Sequence, residues 1–213
     1  MSPESPRTAL AREALRLHHR YQCEVIERFS ICPWAKPARS KDRVRAHVVV
    51  DATHGTPALR PIVDRWADDA RAEVAFIIVP RFQGAIDAFE SWTAEVGALR
   101  DDVFLSAPFH PDVPKTAGTV HFLRQTPDPT VQLVRRERLQ EIRAEDQPHY
   151  TDIFDLDPRD LEGGNAPKNV AASVLAHNER LIAREGRAPL RAVIEDIRRD
   201  RNETYSRILS WPA

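Results

Sequence analysis

The sequence predicts an α/β or α+β protein built on a single sheet of about four strands, with packed helices and a C-terminal helical pair. Three observations carry this reading. Short β-branched apolar runs alternate with longer amphipathic stretches, proline and glycine punctuate the boundaries, and two segments of helical periodicity close the chain. With 213 residues, 42% of them hydrophobic and 30% charged, the chain can bury a sizeable core under a well-hydrated surface.

The first six residues read as a short lead-in. From Thr8 to Phe29 the residues Leu10, Ala14, Leu17, Tyr21, Val25 and Phe29 recur at helical spacing, until Pro33 and Pro37 interrupt them. Arg45 to Val50 reads as a strand, Leu59, Ile62, Val63, Trp66 and Ala70 as a helix, and Val74 to Val79 as a more fully buried strand. Phe82, Ile86, Phe89, Thr93 and Val96 then mark a helix, Val103 to Phe109 a third strand, and Thr119 to Leu123 a candidate fourth. Thr126-Pro127-Asp128-Pro129 is a turn signal, expected to open a helix from Thr130 to about Arg143.

The next segment is polar and acidic, with Tyr150, Ile153, Phe154 and Leu156 as apolar handles. It is expected to drape over the domain as an ordered loop, with a boundary or a lid as the alternatives. Val170, Val174, Leu175, Asn178, Leu181 and Ile182 give the penultimate helix its face. Leu190, Val193, Ile194, Ile197, Tyr205 and Ile208 give the last one its face, after a break at Gly186–Pro189. The expected organisation is a core over residues 1–143, a loop over 144–168, and a helical pair over 169–213 packed on the core.

Composition narrows the function. Thirty-one basic residues against 32 acidic ones leave a net charge of −1, which argues against a general nucleic-acid binder. No apolar run approaches the roughly 18 residues of a membrane span. Two cysteines are no disulfide framework, so a reducing cytoplasm is the expected compartment. Lysine occurs only at Lys36, Lys41, Lys115 and Lys168, and arginine carries the rest of the basic charge.

The chemistry-bearing residues cluster in two runs. In Phe29-Ser30-Ile31-Cys32-Pro33-Trp34-Ala35-Lys36-Pro37, Pro33 favours the first position of a helix. Cys32 would then sit beside free backbone N–H groups that favour a thiolate. A buried, inert cysteine and a metal ligand with His110 or His121 are the other two readings, although no paired zinc-type Cys/His spacing is present. In Phe109-His110-Pro111-Asp112, His110 ends a strand, where open sheets often hold ligands. It is the candidate proton partner of Cys32, or else a histidine that bonds backbone at the strand end.

Lys36, Arg43, Arg45, Lys115, Arg124 and Arg135 form a candidate binding set for a carboxylate or phosphate, if several converge. Cys23 reads as a buried structural residue of the first helix rather than a resolving thiol, and His18-His19 as a solvated or partly buried pair. Glu162-Gly163-Gly164-Asn165 lacks the lysine of a phosphate loop. The four tryptophans are too scattered for a base-stacking platform.

The first run, followed by Arg43-Val44-Arg45, resembles the "LCPFA-P…GRVR" opening of bacterial domain-of-unknown-function family 1415. Ser106-Ala107-Pro108-Phe109-His110-Pro111-Asp112 is similar to that family's "ASFHP" segment, and Ala117-Gly118 to its "FAG". Thr126-Pro127-Asp128-Pro129-Thr130-Val131-Gln132-Leu133-Val134-Arg135 resembles its "RSPYPxxHLLR" segment. The resemblance spans roughly Tyr21 to Gln140. Gln125 stands where the pattern has arginine, Asp128 where it has tyrosine, and Gln132 where it has histidine. It implies positions rather than a reaction.

The resulting expectation is a thiol-dependent enzyme acting on a small anionic molecule, with Cys32 and His110 as the catalytic pair. The alternatives are a non-catalytic accessory protein that binds a ligand or partner, and a metal- or haem-binding protein. The residues assign no cofactor, no metal-ligand set and no oligomeric state.

Overall fold

Ser5 starts the first helix. Its hydroxyl accepts the Thr8 N–H at 3.2 Å and Pro6 fills the first turn, so α1 runs Pro6–Tyr21. The chain then passes directly into a π-helical segment, Gln22–Glu27. In this computed structural model, residues 4–51, 55–113, 123–144 and 170–210 are described. Lys115, His121, nearly all of the expected Thr119–Leu123 strand and residues 145–168 of the acidic connection lie outside them.

The described residues contain seven α-helices and one four-stranded mixed sheet, an α+β fold. After α1 come α2 (Ala35–Ser40), β1 (Val44–Val48), α3 (Arg60–Asp68), β2 (Val74–Ile78), α4 (Ile86–Gly97) and β3 (Phe104–Phe109). They are followed by β4 (Thr130–Arg135), α5 (Arg136–Ala144) and the C-terminal pair α6 (Val170–Glu185) and α7 (Arg187–Leu209). Gly186 joins the last two with φ at 76°, a conformation that side-chain-bearing residues resist.

The sheet order is β1-β2-β4-β3. β1 and β2 are parallel, joined through α3, while β4 runs antiparallel to both β2 and β3. Consequently the C-terminal ends of β1, β2 and β3 meet the start of β4 at one end of the sheet: Val48 pairs with Ile78, Ile78 with Thr130, and Phe109 with Thr130.

One expectation is corrected here. Thr130–Arg135 is a strand, and the helix expected from Thr130 begins only at Arg136. β4 lies between β2 and β3 and is hydrogen-bonded on both sides, so its backbone is satisfied in the ladder. Val131 and Leu133 turn to one face while the β-branched Thr130 and Val134 suit the pleat.

Alternation along β2 sorts the core into two layers. Ala75 and Ile77 pack with Val63 and Trp66 of α3 and Phe89 and Val96 of α4. Phe76 and Ile78 face the opposite layer, with Leu10, Ala14, Leu17 and Tyr21 of α1 and Leu190, Ile194, Ile197, Tyr205 and Ile208 of α7. The α4 layer approaches β3 closely at Gly97, where an added Cβ would stand 2.3 Å from Ser106 Oγ.

The last helix is also clasped to the first by charge. Arg16 donates to both Asp200 oxygens at 2.8 Å, and Arg20 reaches Asp200 at 2.6 Å and Asp196 at 3.0 Å. Hydrogen bonds from Arg16 and Arg20 hold the Asp200 carboxyl well below the ordinary carboxylate range, against the opposing effect of burial.

Candidate functional site

Three chain segments converge where β2 and β3 end and β4 begins. Pro80 follows β2, His110-Pro111-Asp112 follows β3, and Pro127-Asp128-Pro129 precedes β4. Helix α7 crosses this end with Arg198, Arg201 and Asn202. With the exception of Asp128, and together with Phe82 and Gly84, they line a cleft of about 360 Å³, within the size class of small-molecule sites.

Behind the cleft lies a buried carboxylate. Asp128 is 1% exposed and accepts hydrogen bonds from Arg201 Nε and the Tyr205 hydroxyl, each at 2.7 Å. Burial pushes the Asp128 carboxyl up, opposed by the Arg201 charge and by the bonds from Tyr205 and Arg201. Burial and the facing carboxylate push the Tyr205 phenol far up, so it remains a donor. The hydroxyls of Thr126 and Thr130 donate to the Asp128 backbone carbonyl at 2.7 and 2.8 Å, fixing the turn that carries it.

Arg198 is placed differently. Its Nη2 donates to the Pro111 carbonyl and, at 3.4 Å, to Gln125 Oε1, which hold the guanidinium in place. Its Nε is buried without a hydrogen-bond partner, and among the described residues no carboxylate pairs with it within 4 Å. Burial pulls the Arg198 value down; Asp112 and Glu195 oppose this, and the Arg201 charge adds to it. A half-buried cation without an ion-pair partner favours an incoming anion.

His110 is buried at the end of β3. Its backbone N–H donates to the Arg124 carbonyl at 3.1 Å, and its ring lies 5.5 Å from that of Phe89. Nδ1 accepts the Asp112 N–H at 3.2 Å, an assignment that places the proton of the neutral ring on Nε2. Burial lowers the His110 value, outweighing the nearby Asp112 carboxylate, so the neutral form is favoured. In this tautomer Nε2 is a hydrogen-bond donor rather than a base.

Cys32 does not line this cleft, and no hydrogen bond joins it to His110. The helix α2 begins at Ala35 with Trp34 as its cap, so Pro33 lies outside the position expected of it. The N–H groups of Trp34 and Ala35 do favour the thiolate, but burial outweighs them and pushes the Cys32 thiol up. The expected depressed thiol is therefore replaced by a raised one. The cysteine that does meet a histidine is Cys23, whose Sγ lies 3.6 Å from His19 Nε2 one turn away on the same helical stretch. Burial raises this thiol as well. Within the His18-His19 pair, only His18 is buried, against Phe76 at 4.5 Å between ring centres.

Among the described residues the basic set does not converge. Arg43, Arg45 and Arg135 lie at the other end of the sheet from His110, roughly 15 Å away at the rise of a five-residue strand. Arg43 pairs with Glu73, and Arg45 grips Asp69 Oδ2 at 2.7 and 2.9 Å. Arg135 caps the end of α3, donating to the carbonyls of Trp66, Ala67, Asp69 and Ala72 at 2.8–3.1 Å. Lys36 is exposed on α2. Arg124 is half-buried, 5.6 Å over the Phe109 ring, and its value is lowered by burial. Lys115 lies outside the described residues.

Arg198, Arg201, Asn202 and Asp128 were not singled out by sequence as site residues. A signal existed for one of them. Ile194, Ile197, Tyr205 and Ile208 form the buried stripe of α7, and Arg201 falls on that stripe four residues from both Ile197 and Tyr205. An arginine inside an apolar stripe requires a buried partner, and Asp128 supplies it.

The fold and cleft together define a single-sheet α+β protein with an arginine-bearing cleft at the end of the sheet. No family model, curated protein or solved structure matches the chain. Among the described residues no three His, Cys, Asp or Glu side chains gather as a metal site, and no helix is long and apolar enough to cross a membrane.

Proposed function

We propose that the protein binds a small anionic molecule in the cleft at the end of the sheet, with Arg198 as its charged anchor. The observation that carries this reading is the cation itself. Arg198 is held by two oxygen acceptors beside the cleft, yet among the described residues no carboxylate pairs with it. His110 and Asn202 stand on the same lining. The family resemblance through Phe109-His110-Pro111 falls on this same place.

The geometry favours binding over thiol catalysis. Cys32 is away from the lining and its thiol is raised, so the Cys32–His110 pair draws no support from it. Thermal-shift measurements on the full chain with a panel of small carboxylates and phosphates test the proposal. At least one anion class should raise the melting temperature of the wild type and have a much smaller effect on Arg198→Gln. No shift from any anion, or an equal shift in the variant, contradicts it.

A further inference from the structure

We propose that Gln125 is the positioning residue that makes Arg198 an anion anchor: it holds the guanidinium through a neutral carbonyl and so leaves the positive charge free for a ligand. The proposal rests on the anion-binding reading above and adds the residue that sets the charge of the cleft.

Helix α7 presents two arginines three residues apart, Arg198 and Arg201, a spacing that puts them on neighbouring turns of one face. The turn before β4 presents a partner for each, also three residues apart: Gln125 for Arg198 and Asp128 for Arg201. Both partners are enclosed, Gln125 at 4% exposure and Asp128 at 1%. The Asp128 carboxylate meets Arg201 at 2.7 Å and cancels its charge. The Gln125 amide meets Arg198 at 3.4 Å and cancels nothing. Arg201 is thereby a tie between α7 and the end of the sheet, while Arg198 stays a cation on the cleft lining.

The amide is held in one orientation. Gln125 Nε2 donates to the Val113 carbonyl at 3.0 Å, and this bond turns Oε1 towards Arg198. A glutamate would have no donor for that carbonyl and would bring a charge to Arg198. The other acceptor on Arg198, the Pro111 carbonyl, is neutral as well. Asp112 and Glu195 favour the Arg198 charge, but among the described residues neither stands within 4 Å as an ion-pair partner. Burial and the Arg201 charge both disfavour the cation, and a guanidinium does not shed its proton in response. An anion in the cleft offsets both effects.

NMR titrations of the full chain with inorganic phosphate and with acetate, at neutral pH and fixed ionic strength, test this. In the wild type the Gln125 side-chain amide and the Arg198 Nε–H should shift together as one of these anions is added. Gln125→Glu should bind that anion about tenfold or more weakly, because a like charge now faces it. Gln125→Met should lose only about threefold, from the weaker hold on the guanidinium. Both variants lose the donor to Val113, so damage to the fold is common to them and the added charge is not. Should a variant fail to fold, the wild-type titration still decides. An Arg198 shift with the Gln125 amide unmoved, or equal losses in the two variants, overturns the role of Gln125 and leaves the anion reading standing. No shift at Arg198 with either anion overturns both.

Discussion

Replacing Asp128 by alanine should be among the most damaging single changes in the protein. The carboxylate is 1% exposed and takes one hydrogen bond from Arg201 and one from Tyr205, both at 2.7 Å. Its loss strands a buried phenol and a guanidinium whose side chain is 24% exposed. Removing one partner of a buried ion pair costs about 3–5 kcal/mol. Water can still reach part of Arg201, so about 2–4 kcal/mol is expected for Asp128→Ala. Tyr205→Phe removes one hydrogen bond to a charged group and should cost about 1–3 kcal/mol. The two should not add. With Asp128 gone the Tyr205 hydroxyl is an unpaired buried group, so its removal then costs much less, and a coupling of about 1 kcal/mol or more follows. Urea unfolding at pH 7 of the two single variants and the double variant measures this, provided the m-value is unchanged. Additive costs, or an Asp128→Ala cost below about 1 kcal/mol, would refute the argument that this carboxylate ties α7 to the end of the sheet.

Three further outcomes are expected. The Asp200 carboxyl lies below its ordinary value of 3.8 in the folded chain, so its stabilisation is complete above that pH and is lost as pH falls through the folded value. Asp200→Asn should therefore cost about 1 kcal/mol at pH 7, and the gap to wild type should close in unfolding curves taken progressively below pH 4; a constant gap would contradict it. Gly97→Ala brings a methyl to 2.3 Å from Ser106 Oγ and should cost about 1–3 kcal/mol, largely recovered when Ser106→Gly is added; a neutral single variant would mean that α4 and β3 are not in close contact. Cys32 should be alkylated by iodoacetamide at pH 7.5 more slowly than a free thiol in a Cys23→Ser background, because burial raises it; faster reaction would restore the thiol-dependent reading.

The legibility of this chain followed the locality of each signal. Strands β1, β2 and β3 and helices α1, α3, α4 and α7 were readable because their apolar periodicities are determined by neighbouring residues. β4 was not, because Leu133 and Val134 suit a helix or a strand and only the pairing with β2 and β3 decides. The place of His110-Pro111 at a strand end was legible from the apolar run before it. The arginines were harder. Arg43, Arg45 and Arg135 flank motif segments, yet the strand directions carry them to the opposite end, where they serve ion pairs and a helix cap. Arg198 lies some 90 residues away along the chain from His110, and only the docking of α7 on α1 and the sheet brings it to the cleft. Among the described residues it is Arg198, and not Cys32, that lines the cleft with His110.

The most direct measurement of the central claim is an NMR titration that follows the arginine Nε–H and histidine ring signals as the carboxylate or phosphate that most raises the melting temperature is added. The account predicts saturable shifts at Arg198 and His110, with Arg43, Arg45 and Arg135 unmoved. Shifts confined to the arginines at the other end of the sheet, or none at Arg198, would contradict it.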